Sequence, residues 1–283
     1  IADLEDILKR PARINKIIMT ELADVAKKYG KPRKSEILYE VAAEDSDDEE
    51  QAVPDYPVTL FFTRDGYFKK ITPQSLRMSG EQKLKDGDEI TQTLESSNGA
   101  ELLFFTNHCQ VYKSRAADFS DTKASVLGDY VASTLGMEEG EVPLYLAVTT
   151  DYSGHMLFFF QNGKCAKVPL SSYETKQNRK KLLKAYSDKA ELACMMQLPQ
   201  ECELAIFTSG NRLLLAGSAL IAEKTTRDTA GVNVVTLKKN QKIARVEIAD
   251  TLELNNAHRF RVRTLPAAGA ILHTEDLAEQ MTM

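Results

Sequence analysis

The chain has 283 residues, of which 43% are hydrophobic and 27% are charged, and its formal net charge is −5. This composition is ordinary for a globular protein, and the length allows one large domain or two smaller ones. No apolar run approaches the roughly 18 residues that a membrane span needs. Because no C-x-x-C pair occurs, we expect reduced thiols in a cytoplasmic protein; the cysteines are Cys109, Cys165, Cys194 and Cys202.

The charge is distributed unevenly along the chain. Residues 57–154 carry 9 basic and 14 acidic side chains, whereas residues 155–250 carry 15 basic and 9 acidic side chains. Salt screens each charge beyond roughly 10 Å. A local basic field can therefore bind a polyanion although the whole chain is acidic.

The first thirty residues are predicted to be helical. Pro11 suits the first turn of a helix, where its missing N–H is not needed, and Gly30 ends the pattern. Apolar residues recur at helical spacing between these two positions, at Ile14, Ile17, Ile18, Leu22 and Val25. The run Glu44–Glu50 then contains six acids in seven residues, which predicts a solvated linker.

From residue 58 the period changes from helix to strand, and a motif begins to repeat. Each copy places a leucine six residues before a turn position and a large apolar residue ten after it, and a lysine follows the turn in three copies (Lys69/Lys70, Lys113, Lys167). Glycine at a turn suits a tight hairpin with positive φ. The four copies are Leu60–Gly66, Leu103–Cys109, Leu157–Gly163 and Leu204–Gly210.

A fifth, degraded copy leads from Phe260 to Gly269. Strand-rich units that recur every 40–60 residues are typical of propeller-like arrays. A polar strand pair, such as residues 231–237 with 242–248, is expected between hairpins. The sequence therefore predicts a mainly β protein with five blades, preceded by a short helical segment. We expect the hairpin phenylalanines to be core residues rather than base-stacking platforms; they are Phe61, Phe62, Phe104, Phe105, Phe158 and Phe159.

These features together resemble the bacterial type IIA DNA topoisomerase A subunits, the family of gyrase and topoisomerase IV. Residues 1–22 and Tyr29–Ile37 are similar to the end of that family's breakage-reunion domain. The repeats, with Phe-Thr-x-x-Gly and a following lysine, are similar to its C-terminal blades, which form a β-pinwheel. The resemblance implies a helical end of the breakage-reunion domain over residues 1–37, an acidic linker over 38–57 and a C-terminal β-pinwheel DNA-binding domain over 58–283.

The resemblance also implies a parent enzyme that cuts both DNA strands through a tyrosine, passes a second duplex through the break and reseals it. The implied partners are duplex DNA, a B-type ATPase subunit that holds ATP and Mg²⁺, and a second copy of the A subunit. None of the ten tyrosines follows an arginine, the context that the family uses for cleavage. No catalytic residue, metal or cofactor is therefore assigned to this chain.

Gyrase A subunits carry an Arg/Gly-rich box after the first hairpin, where it serves to wrap DNA. The matching stretch, Leu76–Gly87, lacks the Arg/Gly repetition and contains acids. The resemblance therefore favours a topoisomerase IV A subunit that binds and bends duplex DNA without sequence preference, and the alternative within the family is a gyrase A subunit. A protein-interaction propeller with incidental basic residues is an alternative from another class, and salt-sensitive DNA binding distinguishes it.

Basic residues cluster after the third and fourth hairpins. Binding without sequence preference requires only Lys and Arg side chains spaced to meet phosphates. We expect both clusters on the outer rim of their blades. The candidate DNA-contacting residues are Lys176, Arg179, Lys180, Lys181, Lys184, Lys224, Arg227, Lys238, Lys239, Lys242 and Arg245.

Overall fold

The computed structural model describes residues 2–30, 54–78, 81–175 and 180–277. The chain divides into two compact units, residues 1–51 and residues 52–283. None of the helices in these described ranges combines the length and apolar character needed to cross a bilayer. The predicted acidic linker run Glu44–Glu50 lies outside the described residues.

The first unit contains the helices α1 (Ala2–Lys9) and α2 (Pro11–Tyr29), which confirms the helical prediction. Pro11 occupies the first turn of α2, as its fixed φ favours. The Arg13 guanidinium on α2 joins the helices by donating to Asp6 at 2.6 Å and Asp3 at 3.1 Å on α1. Most of the apolar side chains that produced the helical pattern are exposed, Ile14 is half-buried, and no residue of α2 is buried.

The second unit is mainly β. Its described residues include two short α-helices, α3 (Pro73–Met78) and α4 (Val131–Thr134). The strands are β1 (Pro57–Thr63), β2 (Tyr67–Ile71), β3 (Ile90–Ser97), β4 (Glu101–Thr106), β5 (Val111–Arg115), β6 (Asp129–Tyr130), β7 (Pro143–Thr149), β8 (His155–Phe160), β9 (Lys164–Pro169), β10 (Lys181–Leu182), β11 (Leu192–Leu198), β12 (Glu203–Thr208), β13 (Arg212–Gly217), β14 (Val232–Asn233), β15 (Ile243–Ile248) and β16 (Ala270–Ile271).

The described strands form four antiparallel sheets of four strands each. Their orders are β3-β1-β2-β6 in sheet 1, β7-β4-β5-β10 in sheet 2, β11-β8-β9-β14 in sheet 3 and β15-β12-β13-β16 in sheet 4. The two central strands of every sheet are one hairpin of the sequence repeat. In sheets 1 to 3 the short fourth strand comes from the chain that follows the next repeat's hairpin, so consecutive sheets are tied together. This exchange confirms the propeller-like β-pinwheel, but with four sheets instead of the predicted five.

The strands β3, β7, β11 and β15, here called the inner strands, lie at one edge of their sheets, and β11 contacts both β7 and β15. Gln92 on β3 donates to the Leu146 carbonyl and accepts from its N–H, both at 2.8 Å. Gln197 on β11 makes the same pair of bonds with Val148, at 2.7 and 3.0 Å. Because unpaired backbone groups at a sheet edge need partners, these two amides join three sheets through β7.

The hairpin turns follow the predicted spacing, with one correction. A left-handed residue closes each turn, with φ of 83° at Gly66, 54° at Cys109, 86° at Gly163 and 52° at Asn211. The fourth turn position is therefore Asn211 and not the predicted Gly210. The sequence did not distinguish the two because both residue types tolerate positive φ. The shift by one residue makes Ile221, which is buried, the apolar partner of the fourth repeat in place of the exposed Leu220.

The predicted fifth blade does not form because Gly269 has a different role from a hairpin glycine. It directly precedes β16, the fourth strand of sheet 4, as Gly128 precedes β6 and Gly231 precedes β14. All three have positive φ, and a Cβ at each would overlap a carbonyl oxygen of the neighbouring hairpin's second strand. The degraded copy thus completes the fourth sheet, and the described residues beyond β16 add no further strand, only an isolated bridge at Leu277.

The expected polar strand pair is also wrong. Within residues 231–237, Val232–Asn233 is β14, which pairs with β9 in sheet 3. Residues 242–248 contain β15, which pairs with β12 in sheet 4. Alternating polarity identifies a strand but not the sheet that receives it.

The hairpin phenylalanines are core residues, as predicted. Phe62, Phe104, Phe105, Phe158 and Phe159 are at most 1% exposed. Phe104 packs in the core between the first two sheets, and Phe105 packs in the core between the second and third. None of these rings is available to stack on a nucleotide base.

The lysines of the repeat are structural as well. In the first three sheets a lysine lies four residues after the left-handed turn residue and is largely buried; in sheet 4 the position holds Leu215. Because a buried ammonium needs oxygen partners, each lysine pairs with a carboxylate. The ion pairs are Lys70–Asp121 at 3.1 Å, Lys113–Glu101 at 3.3 Å and Lys167–Glu201.

Candidate nucleic-acid interface

The four hairpin turns, together with the turns that lie next to them, are here called the tip face. Each of the first three turns accepts a backbone hydrogen bond from the chain that leads into the next sheet's inner strand. These bonds run from Val131 to Gly66 at 3.0 Å, from Ala185 to Cys109 at 2.8 Å and from Ile243 to Gln161 at 3.2 Å. Consecutive turns are therefore neighbours around the array.

A second set of turns on the tip face precedes the inner strands, and three of them share one conformation. Inner turn 1 is Lys85–Asp88, inner turn 2 is Glu138–Glu141 and inner turn 4 is Lys238–Gln241. In each, the N–H of the fourth residue donates to the carbonyl of the first at 3.0 Å. The third residue is left-handed in all three, at Gly87, Gly140 and Asn240. The next residue accepts a hydrogen bond from the adjacent hairpin in every case.

The charge of these equivalent turns reverses between sheets. Inner turn 1 contains Asp86 and Asp88, and its Lys85 is paired with Asp65 at 3.3 Å. Inner turn 2 contains three glutamates, Glu138, Glu139 and Glu141. Inner turn 4 has Lys238 and Lys239 at the positions of Glu138 and Glu139, and Lys242 follows it. The same backbone thus presents acids in the first two sheets and lysines in the fourth.

The three lysines of sheet 4 are exposed. Among the described residues, none of their ammonium groups has a carboxylate within ion-pairing distance. Arg245 lies further along the chain and is more constrained, because its guanidinium stacks 4.1 Å from the Phe207 ring centre and pairs with Glu247 at 2.9 Å. Arg245 lies on the inner strand β15, so the predicted rim position is wrong for it.

A second group of predicted residues lies at the same end of sheet 2. Lys181 is on β10, at the edge opposite the inner strand, where it pairs with Glu138 at 2.7 Å and covers the Tyr112 ring. The hydrogen bond that Lys181 donates to Glu138 raises the pKa of Lys181 above its ordinary value. Lys180 and Lys184 are exposed, and Lys184 directly precedes the residue that donates to the Cys109 carbonyl.

The remaining predicted residues are not part of either group. The Lys224 N–H donates to the Lys167 carbonyl, in the middle of sheet 3. Arg227 donates to the Ser172 carbonyl at 3.1 Å and lies over the Tyr173 ring, beyond the end of β9 that is remote from the tip. Lys176 and Arg179 lie outside the described residues, so their position stays a prediction.

Sequence reasoning missed three basic residues near the tip face. Lys164 begins β9 directly after the third hairpin turn, Arg212 begins β13 directly after the fourth, and Lys189 precedes the inner strand of sheet 3. Proximity to a turn position was the available signal, but the prediction followed charge clusters instead. Arg212 is constrained, because it donates to the Gly269 carbonyl at 2.6 Å.

Comparison with known proteins found no matching family model. The chain is 26% identical over 252 residues to the A subunit of DNA topoisomerase 4 from Staphylococcus aureus, a match that covers 87% of this chain and 31% of that protein. The same protein from another strain of that species is 27% identical over 243 residues. The chain therefore spans about a third of the length of the curated relatives it matches.

The fold is similar to solved structures. The crystal structure of the C-terminal domain of DNA topoisomerase IV aligns with a TM-score of 0.65 at 20% identity, covering 80% of this chain and 76% of that one. The DNA gyrase A C-terminal domain aligns with a TM-score of 0.51 at 15% identity, covering 78% and 80%. Both likenesses support the pinwheel architecture.

Proposed function

We propose that this chain, which is related in sequence and in fold to the C-terminal part of bacterial type IIA topoisomerase A subunits, binds duplex DNA without sequence preference and bends it. The observation that carries the proposal is the charge reversal at inner turn 4. Three exposed lysines without carboxylate partners among the described residues lie at a turn that is acidic in sheets 1 and 2. A surface of this kind suits a polyanion and disfavours proteins with basic surfaces.

The chemistry of these residues fits contacts with phosphates rather than with bases. Lysine ammonium groups act as point charges that neutralise phosphates and release counterions, which contributes affinity without reading sequence. The phenylalanines that could stack on bases are buried. The exposed aromatic side chain beside a hairpin turn is Tyr130, which packs on Tyr67 in sheet 1 rather than beside the basic inner turn 4.

The distribution of charge favours a bend over a full wrap. Residues 57–154, which contain most of sheets 1 and 2, carry 9 basic and 14 acidic side chains. Bending a short duplex costs several kcal/mol, and an acidic surface adds repulsion where contact would have to continue. Contact is expected along sheet 4 and at Lys180 and Lys184, but not along inner turns 1 and 2.

Within the parent enzyme, this activity fits a topoisomerase IV A subunit better than a gyrase A subunit. The stretch that matches the gyrase box leads into inner turn 1, whose free charges are acidic. The parent would then pass one duplex through another with ATP and Mg²⁺, together with a B-type ATPase subunit, which holds both, and a second copy of the A subunit. These partners follow from the family relationship alone.

A salt-dependent titration tests the proposal. Two labelled duplexes of equal length and unrelated sequence are titrated with the chain at several KCl concentrations, with fluorescence anisotropy as the readout. We expect similar affinities for both duplexes and a log–log slope of about −0.9 for every phosphate neutralised. A slope near zero contradicts the proposal and favours a protein-interaction propeller, whereas a strong preference for one duplex contradicts binding without sequence preference.

A further inference from the structure

We propose that the second hairpin turn and inner turn 2 form a binding site for a divalent metal ion of the Zn²⁺ class, with His108, Glu138 and Glu141 as ligands. One ligand atom from each of these residues lies within 4.8 Å of the other two. Among the described residues, no other group of histidine, cysteine and acidic side chains converges in this way.

The donor set selects the class of ion. An imidazole nitrogen with carboxylate oxygens suits Zn²⁺ and related transition metals, whereas Mg²⁺ and Ca²⁺ prefer oxygen ligands alone. Ligands around a tetrahedral Zn²⁺ lie about 2.0–2.2 Å from the ion and hence about 3.3–3.6 Å from one another. His108 and Glu138 are exposed, so rotation of their side chains can close the difference, and water completes the coordination.

Glu141 is the fixed ligand of the site. Its side chain is 3% exposed, and its carboxylate accepts hydrogen bonds from the Thr106 hydroxyl, from the Tyr112 hydroxyl at 2.8 Å and from the Glu138 N–H at 3.2 Å. These hydrogen bonds orient the carboxylate before any ion arrives.

One further observation indicates that this place suits a cation. The Lys181 ammonium already contacts Glu138 at 2.7 Å. Lys181 is thus a built-in cation that a metal ion displaces when it binds Glu138.

The equivalent positions in the other sheets lack the ligand set. In sheet 4, Gly210 replaces His108, while Lys238 and Gln241 replace Glu138 and Glu141. In sheet 1, Asp65, Lys85 and Asp88 occupy these positions, and no imidazole is present. Among the three sheets whose inner turns share one conformation, sheet 2 alone carries the ligand set.

Metal titration of the whole chain tests the proposal in the absence of DNA. Zn²⁺ binding is measured by isothermal titration calorimetry, and Co²⁺ binding by visible absorption. We expect one site, and we expect the exposed change His108→Asn to weaken it by about tenfold or more, the scale found even for residues that only orient ligands. Lys181→Met should tighten binding about fivefold, because the competing ammonium is removed.

Three control variants keep the result interpretable. Glu139→Gln changes the exposed acid beside the site, and His258→Asn changes an exposed histidine that follows β15 in the sequence. Both variants should bind the metal ion as the parent chain does. Cys109→Ser tests the adjacent thiol, whose pKa is raised by burial, and should also retain the site. Equal affinity in His108→Asn and the parent chain, or loss of the site in Cys109→Ser alone, overturns the proposal.

Discussion

Inner turn 4 offers the sharpest test of where DNA binds. The double change Lys238→Gln and Lys239→Gln removes two exposed charges from a turn whose backbone bond, from Gln241 to the Lys238 carbonyl, is unaffected. An exposed ion pair at about 4 Å is worth about 1 kcal/mol in water. Two such contacts amount to about 2 kcal/mol, which weakens binding about 30-fold. The slope of log Kd against log salt should also fall by about 1.8, since each phosphate contributes about 0.9.

Lys83→Gln with Lys85→Gln is the matched control. It removes the same charge from inner turn 1 and the chain before it, where Lys85 is already paired with Asp65. Anisotropy titrations over a KCl series measure both variants, and circular dichroism melts verify that each is folded. Equal losses from the two pairs would refute the assignment to sheet 4. A loss of affinity with an unchanged salt slope would refute the phosphate contacts.

The remaining predictions concern stability. Lys167→Met removes the ion pair with Glu201, whose carboxylate is about half exposed and can be rehydrated. The free energy of unfolding should therefore fall by about 1–3 kcal/mol, which lowers Tm by roughly 2–12 °C for a unit of this size. The control Lys164→Met, at a half-exposed lysine, should change Tm little. Burial would raise the pKa of Glu201, but the bond from Lys167 holds it below its ordinary value. The stabilisation of the folded state by this ion pair is therefore complete above the unfolded carboxyl pKa of about 4.3. It is lost as pH falls through the lower pKa of Glu201 in the folded state. The Tm gap between parent and variant should narrow below about pH 4, and a constant gap down to pH 2 would count against the ion pair. Gly231→Ala should lower Tm strongly, because φ is +72° and a Cβ would overlap a neighbouring carbonyl, whereas Gly217→Ala, with open space around it, should be tolerated.

Much of the fold is predictable from the sequence, since each hairpin carries its own local signal. The Leu-Phe-Phe segments and their fixed spacing to the turn identify Gly66, Cys109 and Gly163 correctly, although cysteine rarely adopts positive φ. The same local signal misleads where two residues share a property. Gly210 and Asn211 both tolerate positive φ, and Gly269 looks like a hairpin glycine although it precedes an exchanged strand.

The exchange of strands between sheets cannot be predicted from local sequence patterns. β14 and β15 are close in sequence and both alternate in polarity, yet they belong to different sheets. The receiving sheet is decided by long-range pairing, which periodicity does not encode.

The candidate DNA-contacting residues were likewise predictable from the sequence only in part. Lysines 238, 239 and 242 are predictable because exposed charge in a loop is visible in the sequence. Their equivalence to the acidic inner turn 2, about a hundred residues earlier, becomes visible only when the structure shows that the two turns share one conformation. The pairing of Lys181 with Glu138 also joins residues that are remote in sequence, so the sequence could not distinguish this constrained lysine from the exposed ones.

The central claim is that the chain bends duplex DNA without wrapping it completely, because the tip face is basic in sheet 4 and acidic in sheets 1 and 2. The direct measurement is to incubate the chain with nicked circular DNA, ligate the nick, remove the protein and determine the linking number by gel electrophoresis. Contact limited to sheet 4 and to Lys180 and Lys184 predicts a small shift in linking number that does not grow in proportion to bound protein. A large positive shift, stoichiometric with bound chain, would show a full wrap and contradict the account.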